Sequence, residues 1–312
     1  MYNLVEEEIL MLIYVEQDIF KSPAQVIVNA VNTVGVMGKG IAKRFKDVYP
    51  DMFKEYRNFC ELGSLTVGKL WIYKKESKWV LNFPTKKHWR NPSKIEYIED
   101  GLKKFVETYK EKNITSISFP QLGCGNGGLN WEHQVKPLME KYLKNLPIDI
   151  FIHVRPNSNL QMEHMNIAKT LQWLRKNPRD LSITQLIDDM KESIEANKHV
   201  LGKSGKWSIA ISNGDDGLEF DVKSKDHSLV ITYGSLYDMW IKLRDYGYLI
   251  SYDLPVEVQN YSNIVFEFLE QLPYIEQVSV FNLTGSKIAG VTINKYNLPE
   301  FKYNISESIV NE

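Results

Sequence analysis

The chain has 312 residues, 43% of them apolar and 25% charged, which is room for two ordinary soluble domains and excludes a fibrous or disordered chain. Two cysteines, Cys60 and Cys124, exclude a disulfide framework and fit a reducing compartment, the cytoplasm. The net charge of −1 conceals 23 Lys+Arg against 18 Asp+Glu in residues 1–159 and 15 against 21 in residues 160–312, so only the first half suits a polyanionic ligand.

The opening MYNLVEEEILMLIYV is acidic ahead of its apolar run. The run is too short for a membrane helix and its charge has the wrong sign for a secretory signal, and no other stretch is long enough to span a bilayer. Ile9 to Val15 reads as a first strand, with Asp18 after it in a turn or cap position. Val26 to Val28 is a second, buried strand, followed by Asn29 and Asn32 and by the loop Gly35-Val36-Met37-Gly38-Lys39-Gly40. Ile41 to Phe45 then starts a helix. Strand, glycine loop and helix start suit an anion, because the first helical N–H groups lack partners and glycines let backbone N–H groups converge. The loop matches neither G-x-G-x-x-G nor G-x-x-x-x-G-K-S/T, and a plain turn is the alternative.

Residues 51–61 read as a helix with Met52, Tyr56 and Phe59 on one face. Lys69 to Lys75 and Lys78 to Phe83 read as a strand pair turning at Glu76-Ser77, and LNFPTKKHWR at 81–90 ends the second strand with two lysines. Ser93 and Glu96 have capping-box spacing. Ile95, Ile98, Leu102, Phe105, Val106 and Tyr109 follow at helical intervals. Ile117 to Phe119 is a strand that enters a second loop with Gly123, Gly125, Gly127 and Gly128. Pro137 marks a first helical turn continued by Leu138 to Leu146, and Asp149 to Val154 is a last strand. Strands alternating with helices predict an α/β domain with a mixed or parallel sheet. Cys124 lies in the second glycine loop, where a small packing residue is the reading, since no histidine is placed nearby to activate a thiol.

Several of these segments together resemble a macrodomain, an ADP-ribose-binding fold. They are Asp18-Ile19 after the first strand, Asn29-Ala30-Val31-Asn32, Met37-Gly38-Lys39-Gly40-Ile41-Ala42 and Gly123-Cys124-Gly125-Asn126-Gly127-Gly128. With NFPTKKHWR and LGCGNGGLNW added, the pattern is similar to the DarG group of DNA ADP-ribosyl glycohydrolases, antitoxin enzymes that remove ADP-ribose from DNA bases. The resemblance covers about residues 10–155 and says nothing directly about residues 160–312. It implies a macrodomain over 1–156, a mixed sheet flanked by helices, that needs no cofactor and no metal.

The resemblance also implies site residues. Adenosine meets Asp18 and Ile19. The diphosphate lies between Gly38, Lys39, Gly40 and Ile41 on one side and Gly123, Cys124, Gly125, Asn126 and Gly127 on the other. The distal ribose reaches Asn32 and Lys86, and Lys86 falls where related glycohydrolases have a catalytic lysine. Such a lysine can attack the anomeric carbon, or the opened sugar as an imine, or it can stay charged and stabilise the leaving group. A related family that hydrolyses protein ADP-ribose has Gly-Cys-Gly-Leu-Asp in the second loop with a catalytic aspartate. Here Gly127 stands in place of that acid, which argues against a lysine–aspartate mechanism. Asn29 reads as structural, bonding backbone near the strand end. His88, Trp89 and Arg90 are candidate contacts to single-stranded DNA, an aromatic among cations, with local packing of Trp89 as the alternative.

Residues 155–160, RPNSNL, have the composition of a domain boundary. Beyond them a helix with Met165, Ala168, Leu171 and Leu174 is predicted, then a helix over Ile183 to Val200 and a loop at Gly202–Gly205. Strands at 207–211, 218–222 and 229–233 follow, the first two separated by Gly214-Asp215 and Asp216-Gly217. Ser235 and Asp238 can cap a helix stopped by Gly247, and strands near 249–253, 275–283 and 287–294 flank a helix at 263–273. Residues 160–312 thus read as a second, α+β domain without a catalytic motif. His199 and His227 are isolated and make no zinc spacing. The family resemblance implies a DarT-type ADP-ribosyltransferase toxin as partner, and the acidic second domain is the candidate for binding it. Two further readings are a hydrolase of another ADP-ribose derivative (protein adduct, acetyl ester or terminal phosphate) and a non-catalytic ADP-ribose-binding module.

Overall fold

A computed structural model describes residues 12–154, 167–196, 199–202, 205–214, 217–225, 227–281 and 287–293. The chain divides into two compact units, Met1–Trp173 and Leu174–Glu312. The boundary expected at 155–160, the strand start at Ile9 and the helix start at Met165 lie outside the described residues.

In the first unit, β1 (Leu12–Val15), β2 (Val26–Val31), β3 (Trp71–Lys75), β4 (Lys78–Pro84), β5 (Ser116–Pro120) and β6 (Asp149–His153) form one sheet in the order β1-β6-β5-β2-β4-β3. All neighbours pair in parallel except the hairpin β3–β4, so the sheet is mixed. Helices α1 (Gly40–Val48), α2 (Pro50–Glu61), α3 (Ile95–Thr108) and α4 (Lys136–Leu143) cover its faces. A π-helical turn, Trp131–Val135, leads into α4, and Pro137 sits in the first turn of α4 as the sequence predicts.

The near-continuous apolar run of β2 reflects burial on both faces. Val26 and Val28 point into a core with Phe83, Leu102, Phe105, Phe119 and Met139. Ile27 and Val31 point the other way, into a core with Phe45, Met52 and Tyr56. Asn29 also lies in β2 and is wholly buried. Its Nδ2 donates to Oδ1 of Asn82 at 3.0 Å, on the residue opposite it in β4. Asn29 is thus structural, but its partner is a side chain rather than the backbone. Gly101 lies mid-way along α3, where a Cβ would fall 2.1 Å from the ring of Phe83. Its lack of a side chain lets α3 approach β4.

The expected capping box at Ser93 and Glu96 does not form. α3 starts at Ile95 with Lys94 at the N-cap and no side-chain cap. Ser93 is one residue too early and instead donates its N–H to the Gly127 carbonyl at 2.9 Å.

The second unit holds α6 (Ile183–Ala196) after α5 (Ile167–Lys176), the helix in which the two units meet along the chain. β7 (His199–Gly202), β8 (Gly205–Gly214), β9 (Gly217–Lys223) and β10 (Ser228–Thr232) make an antiparallel meander. After α7 (Tyr233–Tyr246) come β11 (Tyr248–Ile250), α8 (Val256–Gln259), α9 (Ser262–Leu269), β12 (Ile275–Phe281) and β13 (Lys287–Ile293), whose strands form a second antiparallel sheet in the order β11-β13-β12. Trp240, Phe220, Phe266 and Phe268 are buried in this unit. The helix expected to reach Val200 ends at Ala196, and β7 begins at His199. The cap of α7 is Thr232, whose side chain accepts from Ser235 N at 3.1 Å, rather than Ser235 or Asp238. Gly247 ends α7 with φ 87°, as a left-handed C-terminal glycine does. Asp215 and Asp216 lie outside the described residues. Among the described residues no helix is long and apolar enough to cross a membrane.

Gly101→Ala should lower stability by about 1–3 kcal/mol, because a methyl group there overpacks Phe83. Urea denaturation followed at the first unit checks this.

Candidate functional site

Every parallel strand of the first sheet runs the same way, so the loops that follow β1, β2, β4, β5 and β6 gather at one edge. They surround a cleft of about 390 Å³.

One wall is the first glycine loop. Asn32 follows β2 and folds the loop onto itself. Its Oδ1 accepts from Val34 N (3.0 Å), Val36 N (3.3 Å) and the Tyr56 hydroxyl (3.0 Å), and its Nδ2 donates to the Val36 carbonyl (2.6 Å). Asn32 itself lines the cleft. Gly35 and Gly40 take left-handed φ values of 77° and 61°. α1 begins at Gly40 with no side-chain cap, and Gly38 to Ala42 line the cleft, so the helix's first turn is turned toward whatever occupies it.

The opposite wall is the second glycine loop. Gly123 and Gly128 are left-handed, at 69° and 80°. Leu129 N donates to the Gly123 carbonyl at 3.0 Å and closes the loop. A Cβ on Gly127 would lie 2.3 Å from the Gly123 carbonyl oxygen and 2.2 Å from Ser93 Oγ, so only glycine fits there. The loops meet at Gly40, where a Cβ would lie 2.6 Å from Asn126 Nδ2.

Lys86 also lines the cleft and is bound to the second wall. It lies just past the end of β4 and is 6% exposed. Its Nζ donates to the Asn126 carbonyl at 2.8 Å and lies 3.4 Å from the Trp89 carbonyl. Lys87, its neighbour, is exposed.

The far end of the cleft holds Gln17, Ile19 and His153. His153 Nδ1 is 2.9 Å from the Gln17 carbonyl, which can only accept, so Nδ1 carries the proton. Nε2 of the neutral ring then accepts from Ser118 Oγ at 3.2 Å, and Ser118 in turn accepts from Ser22 Oγ at 2.6 Å. Burial pushes the imidazole below its ordinary pKa, opposed by the Gln17 carbonyl and the charge of Asp18.

The structure therefore brings Ile19, Asn32, Gly38, Lys39, Gly40, Ile41, Lys86, Gly123, Cys124, Gly125, Asn126 and Gly127 to one cleft. Asp18 is not among its lining residues. Its carboxylate is gripped by Arg44 at 2.7 and 3.1 Å and accepts from Phe20 N at 3.3 Å, capping the short helical turn at 19–21. The expectation that Trp89 presents its ring to DNA is corrected: the ring is 1% exposed, with the Arg90 guanidinium 5.1 Å and the His88 ring 5.7 Å from its centroid. His88 and Arg90 do not line the cleft either. Burial pushes the Cys124 thiol up to about 12, and its Sγ donates to the Leu122 carbonyl, so it stays a thiol near neutral pH and is no nucleophile. Gln17, Thr85, Gln121, Asn130, Trp131 and His153 also line the cleft and were missed. A signal was available for His153 and Gln17, which end or follow strands aimed at this edge.

Residues 28–138 match the family model of the Macro domain. The first unit is a macrodomain. A DNA ADP-ribosyl glycohydrolase of Thermus aquaticus is 41% identical over 148 residues, which cover 46% of this chain and 41% of the relative. A DNA ADP-ribosyl transferase–DNA ADP-ribosyl glycohydrolase fusion protein of Thermosipho africanus is 43% identical over 159 residues, covering 45% of this chain and 41% of the fusion. The chain thus spans about two fifths of the length of these curated relatives. Among solved structures, the macrodomain of Mycobacterium tuberculosis DarG is 42% identical, covering 47% of this chain and 99% of that one, with a TM-score of 0.45. The similarity to all three falls on the macrodomain.

The His153 network gives a sign for pH dependence. The folded macrodomain holds this imidazole neutral below the pH at which the unfolded chain protonates it, so the unfolded state binds more protons as pH falls past about 6.5. Stability should therefore drop on acidification from about pH 7.5 to about pH 5.5, and His153→Gln should drop less over the same interval. Denaturation curves at the two pH values for both proteins check the difference.

Proposed function

We propose that the macrodomain binds ADP-ribose and hydrolyses the bond between its distal ribose and a DNA base, and that the chain serves as antitoxin to a DarT-type DNA ADP-ribosyltransferase. The observation that carries this reading is Lys86, an almost wholly buried lysine that lines the cleft with its amino group bound to the second glycine loop. A pocket that only holds a diphosphate needs backbone donors and no buried lysine. The similarity to proteins named as DNA ADP-ribosyl glycohydrolases runs through this same part of the chain.

In this reading the adenosine lies toward Gln17, Ile19 and His153, with Asp18 shaping the turn beside it. The diphosphate lies between Gly38–Ile41 and Gly123–Gly127 and takes backbone N–H donors from both sides. The distal ribose lies between Asn32 and Lys86. Hydrolysis breaks the bond from the anomeric carbon to the base, water supplying hydroxide to the carbon and a proton to the base. Lys86 has two chemistries available there. As a charged donor it stabilises the departing base or a developing oxyanion. As a free amine it attacks the anomeric carbon and displaces the base, which takes up the proton the amine loses; the glycosylamine then opens to an imine, and water hydrolyses this to free ADP-ribose and the lysine. Reduction with cyanoborohydride separates them, since only the imine leaves an ADP-ribose-sized adduct on Lys86.

Residues 160–312 are the proposed toxin-binding part. Their excess of six acidic charges disfavours DNA, because neutralising phosphates needs cations in excess. An acidic surface can instead occupy the basic groove of a DNA-modifying toxin, and such a contact weakens with salt. The isolated fragment 160–312 should capture a DarT-type toxin and inhibit it at low salt, and less so at moderate salt. Pull-down and toxin activity with the fragment check this, and absence of capture at both salts removes the partner.

Lys86→Ala should lower release of ADP-ribose from modified single-stranded DNA by about 100-fold or more. It should keep ADP-ribose binding, seen as a stability gain of about 2.7 kcal/mol at a ligand concentration 100 times Kd. Release measured by chromatography and thermal unfolding with and without ADP-ribose check the two halves. Equal loss of both would make Lys86 a structural residue.

A further inference from the structure

The cleft has a basic rim at its Lys86 end. Lys87 follows Lys86 but is exposed, and its carbonyl accepts from Thr33 N at 3.2 Å and Thr33 Oγ1 at 2.8 Å, which ties it to the start of the first glycine loop. Lys94, also exposed, is the N-cap of α3, and the residue before it is tied to the second glycine loop by the Ser93 N to Gly127 O bond of 2.9 Å. The two ammonium groups converge on one half-buried ring, Tyr97, at 6.0 and 5.9 Å from its centroid. Among the described residues neither ammonium is paired with a carboxylate, and Glu99 of the same helix is committed to Lys141, Lys103 and Tyr142.

Two like charges held beside one aromatic ring repel each other, and an anion bound there relieves that repulsion. An acidic peptide would use the two charges but not the ring. A single strand of nucleic acid uses all three groups, phosphates taking the ammonium groups and a base taking the ring they uncover. We propose that Lys87, Lys94 and Tyr97 form a platform for single-stranded nucleic acid beside the modified nucleotide, at the end of the cleft where the ADP-ribosylated base must emerge. This rests on the DNA reading of the cleft given above, and it gives the DNA contact a location other than the buried Trp89.

The test uses the full chain and the triple variant Lys87→Ser, Lys94→Ser, Tyr97→Ser, with three measurements. These are calorimetric affinity for free ADP-ribose, anisotropy with an unmodified single-stranded oligonucleotide at several salt concentrations, and KM for the ADP-ribosylated oligonucleotide. The expected result is unchanged ADP-ribose affinity, at least a tenfold loss of oligonucleotide affinity, and a salt slope shallower by about 0.7 per lysine removed. KM should rise in step, and the charge-keeping pair Lys87→Arg with Lys94→Arg should bind like the parent. Oligonucleotide affinity and KM unchanged in the triple variant overturn the platform, as does an arginine pair that loses as much as the serine variant. Weaker binding of an ADP-ribosylated peptide with unchanged oligonucleotide binding also overturns it and gives the rim to a protein substrate. If the parent binds the plain oligonucleotide through these residues yet releases nothing from modified DNA, the proposed activity fails and the platform stands.

Discussion

The site depends on the parallel pairing of β2 with β4 on one side and β5 on the other. Parallel strands deliver all their carboxyl ends to one edge, so the three segments that leave these strands must meet there. They are the first glycine loop, the segment with Lys86 and the second glycine loop. Their meeting is fixed by a few short contacts: Lys86 Nζ to the Asn126 carbonyl, Asn126 against Gly40, Thr33 to the Lys87 carbonyl, and Ser93 N to the Gly127 carbonyl. Each contact spans two of the segments or ties one of them to α3, so the cleft is preorganised by the fold.

Burial on both faces of β2 would normally call for apolar residues throughout, yet Asn29 is placed opposite Asn82 in the middle of the sheet. Their mutual hydrogen bond forms in one register only. A slip by one residue would bury each amide against hydrocarbon, which is costly. The pair thus selects the alignment in which Val31 lies opposite Pro84, so that Asn32 and Lys86 both leave the sheet at the same edge, and Asn29 Nδ2 also lies 3.8 Å from Met37 Sδ in the first glycine loop. A similar economy operates in the second unit, where buried Asp189 is shared by Arg175, Gln185 and Tyr274. Removing one partner from such a network strands the others.

Much of this was legible in the sequence because it is local. Glycine spacing announced both loops, alternating apolar runs announced the strands, and a terminating glycine announced the end of α7. What was not legible depends on partners far away in the chain. Ser93 has the spacing of a cap but answers to Gly127, and Asp18 stands where a ligand contact is expected but is held by Arg44, 26 residues on. Trp89 sits among cations in sequence, which left DNA contact and local packing both open, and its burial favours packing. His153 ends a strand aimed at this edge but belongs to no motif, because its partners are Ser118 and a carbonyl 136 residues earlier. Strand and helix ends in the second unit were displaced by a few residues where caps and hairpins, rather than periodicity, decide the boundary.

The central claim is that the two glycine loops together form a preorganised cradle for a diphosphate, with Gly127 the position at which no side chain fits. Calorimetric titration of ADP-ribose into the parent chain and into Gly127→Ala tests it directly. The parent should bind saturably and the variant should lose at least tenfold in affinity, with the second unit's unfolding transition unchanged. Equal affinity in the two proteins, or no binding by the folded parent at millimolar ADP-ribose, would contradict it.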